Sequence, residues 1–315
     1  ATQDNPEWNL DRIDGTMDGV YTFPDQPGYG TVVVVDSGLR FSHQEFAGAN
    51  VIRGFDAIDN DEDPTDCIGS GTHVTGTIVG ANVGVSPRTP VVVARVIDCD
   101  GSYTEMSMLS GIESTVARCN SDDFPAYAQP CIMCMPSTIW PSVTFTGFNL
   151  RQAVQEAYLD GVLTVTGAGI GNADANDYSP GDVEPAVTVG AANLTSVSGD
   201  LARSSFSNWG PALDIFAPGS SILSSYFTFD TSYVRASSTS MAAAHVSAAL
   251  SLIMSPPWLA VPTNTIGVAV DLLLCMAEEG VVADPTGSPN LFLHVYDVCA
   301  ATSPCQADCD CDADP

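Results

Sequence analysis

Apolar residues in this chain gather in short dense runs, separated by stretches of a different period. Thr31 to Val35 is an unbroken β-branched run that stops at Asp36-Ser37-Gly38. It reads as a strand buried on both faces and closed by a tight turn. Val91 to Ile97, Leu163 to Thr166 and Ala186 to Gly190 have the same character. Between them, Gly71 to Gly80, Met106 to Arg118 and Leu150 to Asp160 carry helical spacing, and Thr239 to Met254 is a further helix rich in small residues. Strands alternating with helices predict an α/β fold with a mainly parallel central sheet covered on both faces. The stretch from Ala300 to Pro315, rich in Cys and Asp, has nothing to build a core from and reads as a short tail. Residues 1–299 read as one domain.

Composition narrows the partners. Apolar residues make up 45% of the 315, enough for a large core, but no run reaches the roughly 18 uninterrupted apolar residues of a membrane helix. Acidic residues number 38 against 9 basic ones, all Arg, for a net charge of −29. Such a surface repels nucleic acid and anionic membranes and suits cations. Two acidic groups are candidate Ca2+ sites: the loop bearing Asp56, Asp59, Asp61 and Asp63, and the N-terminal set Asp11, Asp14 and Asp18. The ten Cys are scattered, with Cys131 and Cys134 as one CxxC and no companion pair or matching His for zinc. Disulfides formed in an oxidising compartment fit better. Asn193-Leu194-Thr195 is a glycosylation sequon. Both are consistent with secretion.

The candidate chemistry is nucleophilic. A serine nucleophile needs a base beside it and a carboxylate to orient that base. Parallel sheets present such groups at strand ends and at the starts of the following helices. Asp36 ends a buried strand, His73 opens a helix within Gly71-Thr72-His73-Val74, and Ser240 opens another within Thr239-Ser240-Met241-Ala242. Any one of them alone reads more readily as a turn residue, a structural His or an N-cap.

The flanks carry a resemblance. Val35-Asp36-Ser37-Gly38, Gly71-Thr72-His73-Val74, Arg95-Val96-Ile97-Asp98-Cys99, Asp214-Ile215-Phe216-Ala217-Pro218-Gly219 and Thr239-Ser240-Met241-Ala242 are similar to motifs of the subtilases, in the proteinase K and aqualysin branch. The likeness runs from the N-terminus to about Val298. It implies a three-layer α/β/α sandwich and a secreted serine endopeptidase made with a propeptide, acting on protein or peptide substrates. Asp36, His73 and Ser240 would be its Asp-His-Ser triad, with His245 structural. It also implies a structural calcium held by the Asp214 carboxylate and the carbonyls of Pro185 and Val187, beside the acidic-loop candidates Asp61 and Asp63. A Cys67–Cys99 bridge is implied too. Cys119–Cys131 and Cys275–Cys299 are further expected pairings.

Departures from the family cluster on the same site. Ile170 stands where the family has the Asn of its oxyanion hole, with Asn172 and the Ser240 N–H as possible substitutes. In the substrate groove, Met135-Pro136-Ser137 and Trp140 replace a Gly-rich segment, and the facing Ser102-Tyr103 segment has lost a Gly. Ser70 replaces a family His three residues before His73, Ser238 replaces a Gly two residues before Ser240, and Ala244 replaces a Pro. The expected function is a peptidase with an atypical groove and oxyanion hole. The alternatives are a pseudoprotease serving as a structural or partner-binding protein, or a triad turned to another acyl substrate such as an ester.

Overall fold

The computed structural model describes residues 1–23, 30–121, 130–138, 148–254 and 265–295. At the N-terminus, β1 (Thr2–Asp4) and β2 (Val20–Thr22) pair antiparallel on either side of α1 (Trp8–Ile13). There follow β3 (Thr31–Asp36), β4 (Val51–Asp56), α2 (Ser70–Val79), β5 (Val91–Arg95), α3 (Glu105–Cys119), β6 (Cys131–Cys134), α4 (Phe148–Leu159), β7 (Val162–Gly167) and β8 (Val187–Leu194). The chain continues through β9 (Leu201–Arg203), β10 (Ile215–Pro218), the hairpin of β11 (Ile222–Ser225) and β12 (Tyr233–Ala236), then α5 (Thr239–Ile253) and α6 (Thr265–Met276). Short strands β13 (Glu278–Glu279), β14 (Val282–Ala283) and β15 (Leu291–Phe292) close it.

The main sheet runs β13-β15-β10-β8-β7-β6-β3-β5-β4. From β15 to β4 every neighbouring pair is parallel. Successive strand residues face opposite sides, and the two sides bury different sets. Val32, Val34, Val91 and Val93 join Val74 and Ile78 of α2 and the Ala-rich face of α5 in one core. Val33, Val35, Val92 and Ala94 join Met108 and Ile112 of α3 and Val154 of α4 in the other. This is the expected three-layer sandwich, and it explains why β3 and β5 carry no polar alternation. The small residues of α5 let that helix lie close against the sheet. The four predicted strands and four predicted helices all form, with ends moved by a few residues. No apolar run announced β4, which reads Val-Ile-Arg-Gly-Phe-Asp, or the four-residue β6.

Two of the expected bridges form, Cys67–Cys99 and Cys119–Cys131. Cys275 is disulfide-bonded, and its expected partner Cys299 lies outside the described residues. Cys134 is free and buried against Ser247, and burial pushes its thiol up to about 12. The sequon residue Asn193 sits half-buried near the end of β8. No described helix is long and apolar enough to cross a membrane.

The acidic loop is built around arginine. Arg95 bonds Asp56 at 2.8 Å and Asp59 at 2.9 Å. Arg53 pairs with Asp63, and Asp61 accepts the Asp63 N–H at 2.8 Å. Asp61 and Asp63, expected as calcium ligands, are thus a turn cap and an arginine partner. Among the described residues no three His, Cys, Asp or Glu side chains gather as a metal cluster, the N-terminal aspartates included.

Candidate active site

β3 and β6 are parallel neighbours with Val34 opposite Cys134. Continuing that register sets Asp36 beside Pro136, at the roughly 4.8 Å spacing of adjacent strands. The Ser240 Oγ lies 3.5 Å from the Pro136 carbonyl. The carboxylate and the hydroxyl therefore share the carboxyl edge of the sheet, where open α/β folds place their sites.

Asp36 is fully buried. Its Oδ1 accepts the Ser37 N–H at 2.7 Å, while Oδ2 has no hydrogen-bond partner. Burial pushes this carboxyl up to about 6, against the Ser37 amide and the Ser70 hydroxyl, which favour its ionised form, and with the nearby Asp66 charge adding to the rise. Asp66 organises the turn below. It accepts from the Ser37 hydroxyl, the Gly69 and Thr72 amides and the Thr72 hydroxyl.

The expected relay from Asp36 through His73 to Ser240 is not assembled. The His73 Nε2 donates to the carbonyls of Ile222 (3.0 Å) and Val234 (3.2 Å), and its Nδ1 has no partner. The ring is buried, and burial holds it down to about 4, so it is neutral near pH 7. Its backbone serves the same contact: Ser224 and Ser225 donate to the carbonyls of His73 and Thr72. His73 thus fastens α2 to the β11–β12 hairpin. The side chain of α2 that stands beside Asp36 is Ser70, where the family carries a His.

Ser240 opens α5 with Ser238 as its N-cap. The Ser238 Oγ accepts the Ser240 N–H at 3.1 Å and lies 3.1 Å from the Ser240 Oγ. The amide expected as a residual oxyanion donor is therefore spent inside the chain. Ile170 is exposed, with no donor to offer. The Asn172 side-chain oxygen accepts from Arg203 at 2.9 Å, which ties that amide to Arg203. The loop holding Ile170 is shaped by the buried Asn208, which accepts the Gly171 and Ala173 amides and donates to the Ala168 carbonyl. Nothing local in the sequence marked Asn208 as the organiser of a loop 35 or more residues earlier. His245 donates to the Met241 carbonyl and meets the Asn9 amide, in the structural role expected of it.

The groove residues line up as two walls. Met135 is buried, and Pro136 and Ser137 run past Ser240. Ser102 turns back on Asp100. The Tyr103 hydroxyl donates to the Thr138 carbonyl at 3.3 Å, joining one wall to the other. Trp140 lies outside the described residues.

At the proposed calcium position the Asp214 carboxylate accepts the Thr188 N–H at 2.7 Å, which sets it against the start of β8 near Pro185 and Val187. Burial pushes it up to about 6, and the charge of Glu184 adds to the rise. A buried carboxylate in a negative field suits a hard cation with oxygen ligands, so these residues fit the ion.

Comparison with known proteins places the chain. The Subtilase family model matches residues 29–270. This chain belongs to the subtilase family of serine proteases. It is 37% identical over 297 residues to the alkaline serine exoprotease A of Vibrio alginolyticus, covering 93% of this chain and 51% of that protein. It is 38% identical over 298 residues to the extracellular serine proteinase of Thermus sp. (strain Rt41A), covering 93% and 67%. The chain thus spans between half and two thirds of these relatives. The crystal structure of a cold adapted subtilisin-like serine proteinase superposes with a TM-score of 0.79 at 36% identity, over 93% of this chain and all of that one. This subtilase thus keeps the family fold.

Proposed function

We propose that this subtilase is a pseudoprotease: an extracytoplasmic, calcium-stabilised subtilase domain that binds polypeptide without hydrolysing it efficiently. The observation that carries this is that His73 is bound to the β11–β12 hairpin, which leaves the Asp36 Oδ2 and the His73 Nδ1 without partners, while the α2 side chain near Asp36 is Ser70. A hydroxyl beside Asp36 cannot take the Ser240 proton near pH 7 or pass it to a leaving amine, which is what the base of a serine peptidase does. The loss of oxyanion donors at Ile170 and at the capped Ser240 amide points the same way. The disulfides and the extracellular naming of the Thermus relative support an oxidising, exported setting. Calcium, held by Asp214 and the carbonyls of Pro185 and Val187, would offset buried negative charge.

The test is active-site labelling. The folded protein in calcium buffer is treated with a fluorophosphonate, and any adduct is located by mass spectrometry beside a Ser240→Ala control. No adduct on Ser240 is the expected result. Stoichiometric label there, lost in the control, means that the nucleophile is activated and restores the peptidase reading.

A further inference from the structure

Cys119 and Cys131 are joined in the core beneath α3, and both are buried. The Cys67–Cys99 bridge lies otherwise: Cys99 is exposed and Cys67 half-buried, so small solutes reach it. Behind it stands Arg95, only 6% exposed. The Arg95 Nη1 donates to both Asp56 and Asp59. The Nη2 is turned to sulfur, 3.3 Å from the Cys99 Sγ and 3.7 Å from the Cys67 Sγ, and the Nε has no hydrogen-bond partner. A disulfide sulfur is a weak acceptor, so this buried cation holds donors that the closed bridge leaves poorly satisfied. A thiolate in the same place adds a charge attraction that a neutral sulfur lacks. The turn around Cys67 is fastened without the bridge: Asp66 accepts the Ser37 and Thr72 hydroxyls and the Ile68, Gly69 and Thr72 amides. Opening the bridge therefore leaves the head of α2 in place.

We propose that Cys67–Cys99 is a thiol-exchange site, where the folded protein takes up a small thiol reversibly and Arg95 holds the sulfur that leaves. A thiolate attacks the exposed Cys99 Sγ. The Cys67–Cys99 bond breaks as the new S–S bond forms, and Cys67 departs as a thiolate onto the Arg95 Nη2. One disulfide replaces another, with no external oxidant. A second thiolate attacking the mixed disulfide completes reduction to the dithiol, and the two small thiols leave as their own disulfide. A less basic leaving sulfur departs faster, and the guanidinium makes Cys67 that sulfur. Asp59, itself mostly exposed, shares the guanidinium and damps the effect.

The probe is 2-mercaptoethanol, added to the folded chain in calcium buffer at pH 8. Samples are quenched at intervals with N-ethylmaleimide, digested and read by mass spectrometry. The thiol is expected on Cys99 and the maleimide on Cys67, at least about tenfold faster than any opening of Cys119–Cys131. Asp59→Asn should speed the exchange about threefold. Asp100→Asn, beside Cys99 but not on Arg95, should change it less. Arg95→Lys, which loses the planar fork, should slow it about tenfold. Equal gains from the two aspartate substitutions would make the general field the cause and overturn the role of Arg95. The thiol on Cys67 instead would overturn the assignment of the leaving sulfur. Both bridges opening together, at a rate that climbs with urea, would mean that Cys67–Cys99 opens only on unfolding and overturn the site. If Arg95→Lys does not fold, the comparison of Asp59→Asn with Asp100→Asn decides.

Discussion

The Ser70 hydroxyl stands beside the Asp36 carboxylate at the head of α2, while His73, three residues on, points into the β11–β12 hairpin. Three residues of helix advance about 4.5 Å. That is enough to carry a side chain from the sheet edge to the underside of a neighbouring hairpin.

Ser70→His should place an imidazole against the orphan Oδ2 of Asp36. Labelling of Ser240 is expected to rise about 10²-fold or more, the scale of a positioned general base. Adding Ile170→Asn should contribute a further factor of about 10², the scale the loss of one oxyanion donor has in subtilisin. A doubly substituted protein that folds yet labels no faster would mean that Asp36 and Ser240 are not placed to share a base.

His73→Ala should destabilise without touching Ser240. It removes a buried ring and leaves the Ile222 and Val234 carbonyls short of a donor, at a cost of about 3 kcal/mol. Urea unfolding measures the loss. A selective fall in Ser240 reactivity at unchanged stability would instead mark His73 as a base.

Stability between pH 4 and 6.5 should be shallow, because two opposed pairs titrate there. His73 and His245 are held down to about 4 by burial, below the ~6.5 of a free imidazole. Stability tied to their neutral form is complete above pH 6.5 and is lost as pH falls toward 4. Asp36 and Asp214 are pushed up to about 6. Their ionised forms cost stability above pH 6, and that cost is relieved as pH falls toward 4. Asp36→Asn should therefore stabilise the chain at pH 8 by about 3 kcal/mol and not at pH 4, in calcium-free buffer. An equal effect at both values would refute this.

Millimolar calcium should raise the melting temperature by several degrees through mass action on the folded state. Asp214→Asn should abolish the shift, whereas Asp63→Asn, at an exposed residue paired with Arg53, should keep it. A calcium shift surviving Asp214→Asn would move the ion elsewhere.

Arg95→Gln strips a cation from the fully buried Asp56 and from between two disulfide sulfurs. Leaving that carboxylate unpaired costs about 3 kcal/mol or more. A thermal melt within error of the parent would mean that solvent reaches Asp56.

Much of this protein was determined by its sequence alone. Unbroken β-branched runs such as Thr31 to Val35 can be buried only between two helical layers, and the small residues of α5 can only pack close to a sheet. The three-layer sandwich and the carboxyl-edge positions of Asp36 and Ser240 follow from that local periodicity. The quoted motifs fixed the family for the same reason, since they are short and contiguous. Ser70 as a lost His, Ile170 as a lost donor and Tyr103 at a lost Gly were all legible as departures. Which departure mattered was not. Ser70 and His73 differ by one turn of a helix, and only the packing of β11 and β12 against α2 decided which of them meets Asp36. The capping of the Ser240 amide by Ser238, the capture of Asn172 by Arg203 and the bond from Tyr103 to Thr138 likewise join residues through side-chain directions. Periodicity specifies which face of an element is buried. Hydrogen bonds a few ångströms long depend on how those faces meet, and that is settled only when the layers close.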